Sequence, residues 1–287
     1  STRSSPPCTR RGRIPSPTAA RIVMKVDAGL VAVAAASSVL PGQLPCLAPA
    51  PRSIGEFERR RAIDAALKAA WDGLSGYAST IQDEDRIAAA SGAYGETFGE
   101  CSPRGARSLF RALGLDDDHS RDDDQRFVFA DLGSGVGKLA AQAYVECPGV
   151  AAVRAIELAE QRHRRAQEGW ARFVAGGAAA ELRGADFDAA AVSFELRDLL
   201  RTDLANVTHC YCANLCFSRP ASERLGLRLA ATPSVRRVAA LAPLFFDADP
   251  RDAAGFPRTP TRTARVHMSW NAAGEGTEVL VYDRIQP

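Results

Sequence analysis

The chain has no apolar run long enough to cross a membrane. Its longest largely apolar stretch, Ala28 to Leu40, is 13 residues, where a spanning helix needs about 20. It also lacks a disulfide framework: the 7 cysteines are odd in number and widely spread, a usage that favours a reducing compartment. Paired C-x-x-C ligand sets are missing too. Cys210, Cys212 and Cys216 form a single C-x-C-x-x-x-C on a predicted strand and its exit. There they read more simply as small buried hydrophobes than as metal ligands, so no metal site is expected. No internal repeat is visible. Net charge is small, +2 overall, but residues 1–52 carry seven Arg and Lys against one Asp, leaving −4 for the remainder. A basic arm on a mildly acidic body suits a polyanion such as DNA, or is simply solvated.

Three regions follow. Residues 1–53, rich in Pro, Ser, Ala and Arg without a sustained period, are predicted to be disordered. If Met24 were the start, the residues after it would resemble a weak signal or transit peptide, although Asp27 argues against that. Residues 54–115 are predicted to be a small helical segment: Glu56 to Leu74, Ile81 to Ala90 and Pro103 to Leu113, with a glycine-punctuated loop, Ser91 to Glu100, before the last. Residues 116–287 alternate between strand and helix.

That third region is organised around Arg126 to Lys138, RFVFADLGSGVGK. An apolar strand runs into Asp131, a glycine-rich turn follows, and Val136 to Glu146 continues as a helix. Spacing separates the ligands such a turn can cradle. A phosphate loop needs glycine at Leu132 and Ser or Thr at Leu139. A dinucleotide turn needs a third glycine at Lys138. What remains is Asp-x-Gly-x-Gly-x-Gly, the pattern of S-adenosylmethionine (SAM) methyltransferases, whose strand-tip carboxylate suits the ammonium of the methionine half. The alternative is a turn that only packs.

Downstream, Ala151 to Ile156 is a predicted strand ending in Glu157, 20 residues after Gly137, where nucleotide-binding α/β folds place an acid for ribose hydroxyls. Otherwise Glu157 is surface. Glu160 to Val174 is a predicted helix whose arginines read as a solvated face. Val192 to Leu196 is a third strand; Asp198 beyond it either meets an adenine amino group, with Leu199 on the ring, or is an N-cap or plain surface. Thr208 to Leu215 is a fourth strand, followed by the helix Ala221 to Ala231 and a fifth strand, Val235 to Leu241. Thr263 to Trp270 and Thr277 to Asp283 alternate like an antiparallel hairpin. The fold predicted is α/β, the Rossmann-like seven-stranded sheet of class I SAM-dependent methyltransferases.

Four motifs, in order, carry a resemblance: YGET (Tyr94 to Thr97), DLGSGVGK (Asp131 to Lys138), ANLCFS (Ala213 to Ser218) and MSW (Met268 to Trp270). Over the C-terminal three-quarters the chain resembles the disruptor-of-telomeric-silencing family of non-SET histone lysine methyltransferases. The resemblance implies methyl transfer from SAM to a lysine of the histone H3 core in nucleosomes, with nuclear location; a functional Met24 start would point to an organelle instead. It implies that Asp131, Gly133 and Gly135 hold the methionine half of SAM, with Ser134 also binding the cofactor, Glu157 the ribose, and Asp198 with Leu199 the adenine. Tyr94, Glu96 and Thr97 would close over the cofactor and wall a lysine channel, with Asn214, Phe217 and Trp270 lining it near the methyl. Glu96 is a candidate proton acceptor. The chain departs from the family at Ala213, where a first asparagine is common, at Lys138, where a polar amide stands, and at Leu199, where an aromatic stands. Two other functions share the cradle: a class I methyltransferase for another protein or small amine, and an inactive SAM-binding chromatin module.

Overall fold

A computed structural model describes residues 54–77, 80–92, 99–116, 126–246, 255–272 and 274–285. The basic arm and the loop residues Tyr94, Glu96 and Thr97 lie outside them.

Seven strands form one sheet in the order β3-β2-β1-β4-β5-β7-β6. β1 (Phe127–Leu132), β2 (Val150–Glu157), β3 (Val192–Leu196), β4 (His209–Cys212) and β5 (Arg237–Ala240) are parallel. β6 (Arg262–Val266) and β7 (Thr277–Asp283) form the terminal hairpin, β7 lying antiparallel to both β5 and β6. From β1 the chain first winds outward through β2 to β3, then crosses to the other side of β1 as β4. The order therefore reverses between β1 and β4, and the crevice beyond the carboxyl ends there is where open α/β sheets bind ligands. This is the Rossmann-like, seven-stranded class I architecture that the sequence predicts.

Helices cover both faces. α4 (Lys138–Glu146), α5 (Glu160–Ala175), the N-terminal helices α1 (Ile54–Ala70) and α3 (Pro103–Leu113), and the short α6 (Ala178–Arg183) enclose one core with Phe129, Tyr144, Phe110 and Leu67. α7 (Arg219–Ala230) covers the other face, over Leu132, Cys210, Cys212 and Leu225. α1 is tied to the glycine turn by its exit residue: the Trp71 indole donates to the Val136 carbonyl at 2.6 Å. α3 begins at Ser102, whose hydroxyl accepts from Gly105 N at 3.1 Å, and stops at Gly114 with φ 67°.

The structure shortens three predicted strands, among them β5, which is Arg237–Ala240 rather than Val235 to Leu241. β4 ends at Cys212 rather than Leu215, and Asn214–Cys216 turns as a 3-10 helix. The Asn214 amide donates to Ala242 O at 3.1 Å and accepts from Ala242 N at 2.9 Å, substituting a side chain for the next rung of the ladder. β6 stops at Val266 because Asn271 Oδ1 accepts from Met268 N at 2.8 Å and bends the chain. α6 was not foreseen; its six residues, AAAELR, are too short for an apolar period to register.

Candidate functional site

Above the switch point lies a cavity of about 1320 Å³, counting its open mouth. Its floor is the turn after β1. Gly133 has φ +87° and no atom within 4 Å of where a Cβ would stand. Gly137, with φ +75°, has no such room: a Cβ would lie 2.5 Å from Phe194 and 2.9 Å from Ala166. One glycine keeps the cradle open; the other lets the turn pack on the sheet.

Two carboxylates stand at neighbouring strand tips. Asp131 is 3% exposed on β1, and burial, with Glu157 close by, pushes its pKa up to about 7. Glu157 at the end of β2 is buried too. Its Oε2 accepts from Gly135 N at 2.8 Å, and its Oε1 from Leu158 N at 2.9 Å and Ala159 N at 2.8 Å. Burial raises its pKa, while those amides and the nearby Arg162 oppose the rise. Glu157 is thus first the clasp that sets the glycine turn. Of its roughly four lone-pair sites, one on Oε2 is left over.

Asp198 and Leu199 line the same cavity, as do Phe217 and Trp270. The Asp198 carboxylate also accepts from Leu200 N at 2.8 Å, a local turn contact made alongside its place in the wall. Ser134 lines the floor, and its buried hydroxyl has no hydrogen-bond partner among the described residues. Trp270 is 46% exposed and lies over Gly99, where a Cβ would come within 1.9 Å of its ring. Tyr94, Glu96 and Thr97 lie outside the described residues.

One expectation is corrected. Asn214 does not line the channel: it is 0% exposed, stands apart from the residues around the cavity, and its amide makes one donor and one acceptor bond with Ala242. The cavity wall there is made by Ala213, Leu215, Cys216 and Phe217. Of the cysteine trio, Cys210 and Cys212 are buried in β4, and Cys216 lies in this wall. Among the described residues no group of His, Cys, Asp and Glu converges as a metal set.

Sequence reasoning missed three parts of the site. Lys138, noted only as a departure, donates to Glu100 Oε2 at 2.8 Å across the cavity edge. α2 (Ile81–Ser91) contributes Ile87, Ala90 and Ser91 to the wall. Its buried Asp83 caps α5, accepting from Glu160 N at 2.8 Å and Gln161 N at 3.2 Å. The third is Tyr211 on β4, in the wall between β1 and the late hairpin. Its signal was the alternation of β4, which turns Cys210 and Cys212 toward α7 and leaves Tyr211 on the opposite face.

No protein-family model matches the chain, and no curated protein matches it. Among solved structures it is similar to an RNA methyltransferase from Salinibacter ruber in complex with S-adenosyl-L-homocysteine, at 19% identity over 62% of this chain and 89% of that one, TM-score 0.37. It is similar also to magnesium protoporphyrin IX methyltransferase from Synechocystis with bound SAM, at 14% identity over 82% and 100%, TM-score 0.41. A third is a tRNA (m1A58) methyltransferase from Aquifex aeolicus, at 14% identity over 67% and 72%, TM-score 0.40.

Proposed function

We propose that the chain is a SAM-dependent methyltransferase whose acceptor is an amine nitrogen, the side chain of a lysine in histone H3 as the nucleosome presents it. The observation that carries the cofactor assignment is the pair of buried carboxylates, Asp131 and Glu157, on adjacent strands, one on each side of an open glycine cradle at the switch point. A carboxylate whose proton affinity is raised by burial gains most from a fixed cation, and the methionine ammonium is one. The partnerless Ser134 hydroxyl and the space over Gly133 fit the polar backbone of the same half. The spare acceptor site on Glu157 Oε2 suits a ribose hydroxyl, and Asp198 with Leu199 an adenine edge and face.

Bound here, SAM supplies a methyl on a sulfonium: the acceptor's lone pair takes the methyl, the S–C electrons stay on sulfur, and the acceptor gives up one proton. The protein's share is to align the amine and exclude water. Leu215, Phe217, Met268 and Trp270 give the mouth an apolar wall. Desolvation there favours the neutral amine over the ammonium, which has no lone pair to give. The lysine and nucleosome part of the reading is supported by the four sequence motifs, and nuclear location goes with it. Ala213 supports a second reading, another protein or small amine as acceptor, because the wall presents a methyl where an acceptor-facing amide would stand.

The test uses methyl-labelled SAM with recombinant nucleosomes and free histones, and Asp131→Asn as the control. Asp131→Asn is the better control than a change at Glu157, because a lost Glu157 also releases Gly135. Label on histone H3 in nucleosomes, absent with the variant, is the expected result. SAM binding without histone label transfers the acceptor to another amine. Failure to bind SAM overturns the reading as a whole.

A further inference from the structure

Resting on the methyl-transfer reading, a question arises at the acceptor end of the cavity: which polar group fixes the incoming nitrogen? Ala213 offers none, and Asn214 is fully buried outside the cavity lining, its amide paired with Ala242. Nearby in the lining, Cys101, Leu241 and Met268 are apolar or weakly polar, and Glu100 is paired with Lys138. Tyr211 stands among them. It pairs in register with Asp131 across the β1–β4 junction, so both residues sit side by side at the switch point. It is 3% exposed, and its hydroxyl is buried with no hydrogen-bond partner among the described residues. Buried hydroxyls nearly always have partners, so an orphan in a cavity wall marks a place where a ligand completes the set.

We propose that the Tyr211 hydroxyl orients the acceptor nitrogen for methyl transfer, taking the place of the amide that position 213 lacks. The phenol oxygen accepts one N–H of the amine, which leaves the nitrogen lone pair unengaged and directed at the methyl. Burial pushes the phenol pKa well up, so the group stays a neutral hydroxyl and orients without removing a proton. The proton leaves the amine by another route.

Tyr211→Phe deletes this oxygen and little else. The probes are S-adenosylhomocysteine and sinefungin, which carries an amine where SAM carries its methyl sulfonium, both measured by calorimetry. The variant is expected to bind S-adenosylhomocysteine as the wild type does and sinefungin about tenfold more weakly, the ratio one hydrogen bond to a charged amine gives. Its thermal midpoint without ligand is expected to be equal or higher, because an unsatisfied buried hydroxyl has been removed. Adding Ala213→Asn to the variant is expected to restore the sinefungin preference. An unchanged ratio of the two affinities overturns the proposal. So does a variant that fails to fold, because a hydroxyl without a protein partner cannot be what holds the fold. Wild-type protein that binds neither probe removes the methyl-transfer reading itself, a different failure from a loss confined to Tyr211→Phe.

Discussion

At Asp131 the requirements of folding and of binding oppose each other. Its pKa in the fold is about 7 against an ordinary 3.8. Between those values the folded protein holds a proton that the unfolded chain has released. Stability therefore falls as pH rises through this window, and the full cost, at most on the order of 4 kcal/mol, is present above it. Asp131→Asn removes the cost along with the anion. Urea denaturation without ligand is expected to find the variant more stable than wild type at pH 8 and little different at pH 4, while SAM affinity at pH 8 drops at least 100-fold. A wild type that gains stability relative to the variant between pH 5 and pH 8 contradicts the assignment. The glycines of the turn divide in the same way. Gly133→Ala meets open space and carries only left-handed strain, about 1–2 kcal/mol, yet places a methyl in the cradle. Gly137→Ala adds a clash with Phe194 and Ala166, so it is expected to cost about 1–3 kcal/mol more. Paired melts and SAM titrations separate the two: the first variant keeps most stability and loses ligand, and the second loses both.

Among the elements, α2 is the one whose place depends on few contacts. At one end Asp83 caps α5; at the other, Ser91 O accepts from Ser218 N at 2.8 Å and Ala90 O from Arg224 at 3.1 Å. Between these ends α2 forms part of the cavity wall. Burial alone would raise the pKa of Asp83, but the amides of Glu160 and Gln161 and its bonds with Thr80 bring it below the ordinary value. A depressed carboxylate contributes stability above its unfolded pKa of 3.8 that is lost as pH falls through the folded value. Asp83→Ala leaves two amides at the start of α5 unpaired and is expected to cost about 2–3 kcal/mol at pH 7 in urea denaturation. SAM affinity is expected to fall with it; an unaltered affinity would mean that α2 does not wall the ligand. This element also shows what the sequence could and could not reveal. Its helix was legible from residues 81–90, and so were the glycine turn, Asp131 and Glu157, because each signal is local: a period, a spacing, a strand tip. The bond from Asp83 to α5 joins residues 77 apart, and that from Asn214 to Ala242 joins residues 28 apart. Nothing in ANLCFS says whether an asparagine faces a ligand or the backbone, so Asn214 was assigned to the channel on motif alone. Tyr211 was silent for the opposite reason. Its importance lies in a bond it does not make.

For the whole molecule the unequal division of charge matters most. Residues 1–52 hold +6 and the remainder −4, in a chain whose sum is only +2. A remainder of mild negative charge is repelled by DNA, and the proposed nucleosomal substrate is wrapped in it. The arm therefore has to supply the attraction if the chromatin reading is right. Each phosphate that a Lys or Arg neutralises releases a counterion, which steepens the dependence of affinity on salt by about 0.9 per contact. Changing Arg3, Arg10, Arg11, Arg13 and Arg21 together to Gln removes five such charges and leaves every residue of the cavity as it was. Nucleosome binding measured from 50 to 200 mM salt is expected to weaken most at the low end. The slope of log affinity against log salt should become shallower by up to about 4–5. SAM affinity is expected to stay at the wild-type value, since the cradle is built from residues beyond position 54. If the slope does not change, the arm is solvated charge only, and the acidic body would then have to reach histone through a surface other than DNA. A loss of nucleosome binding that salt does not modulate would point to contacts with histone protein, where the charge of the arm is incidental.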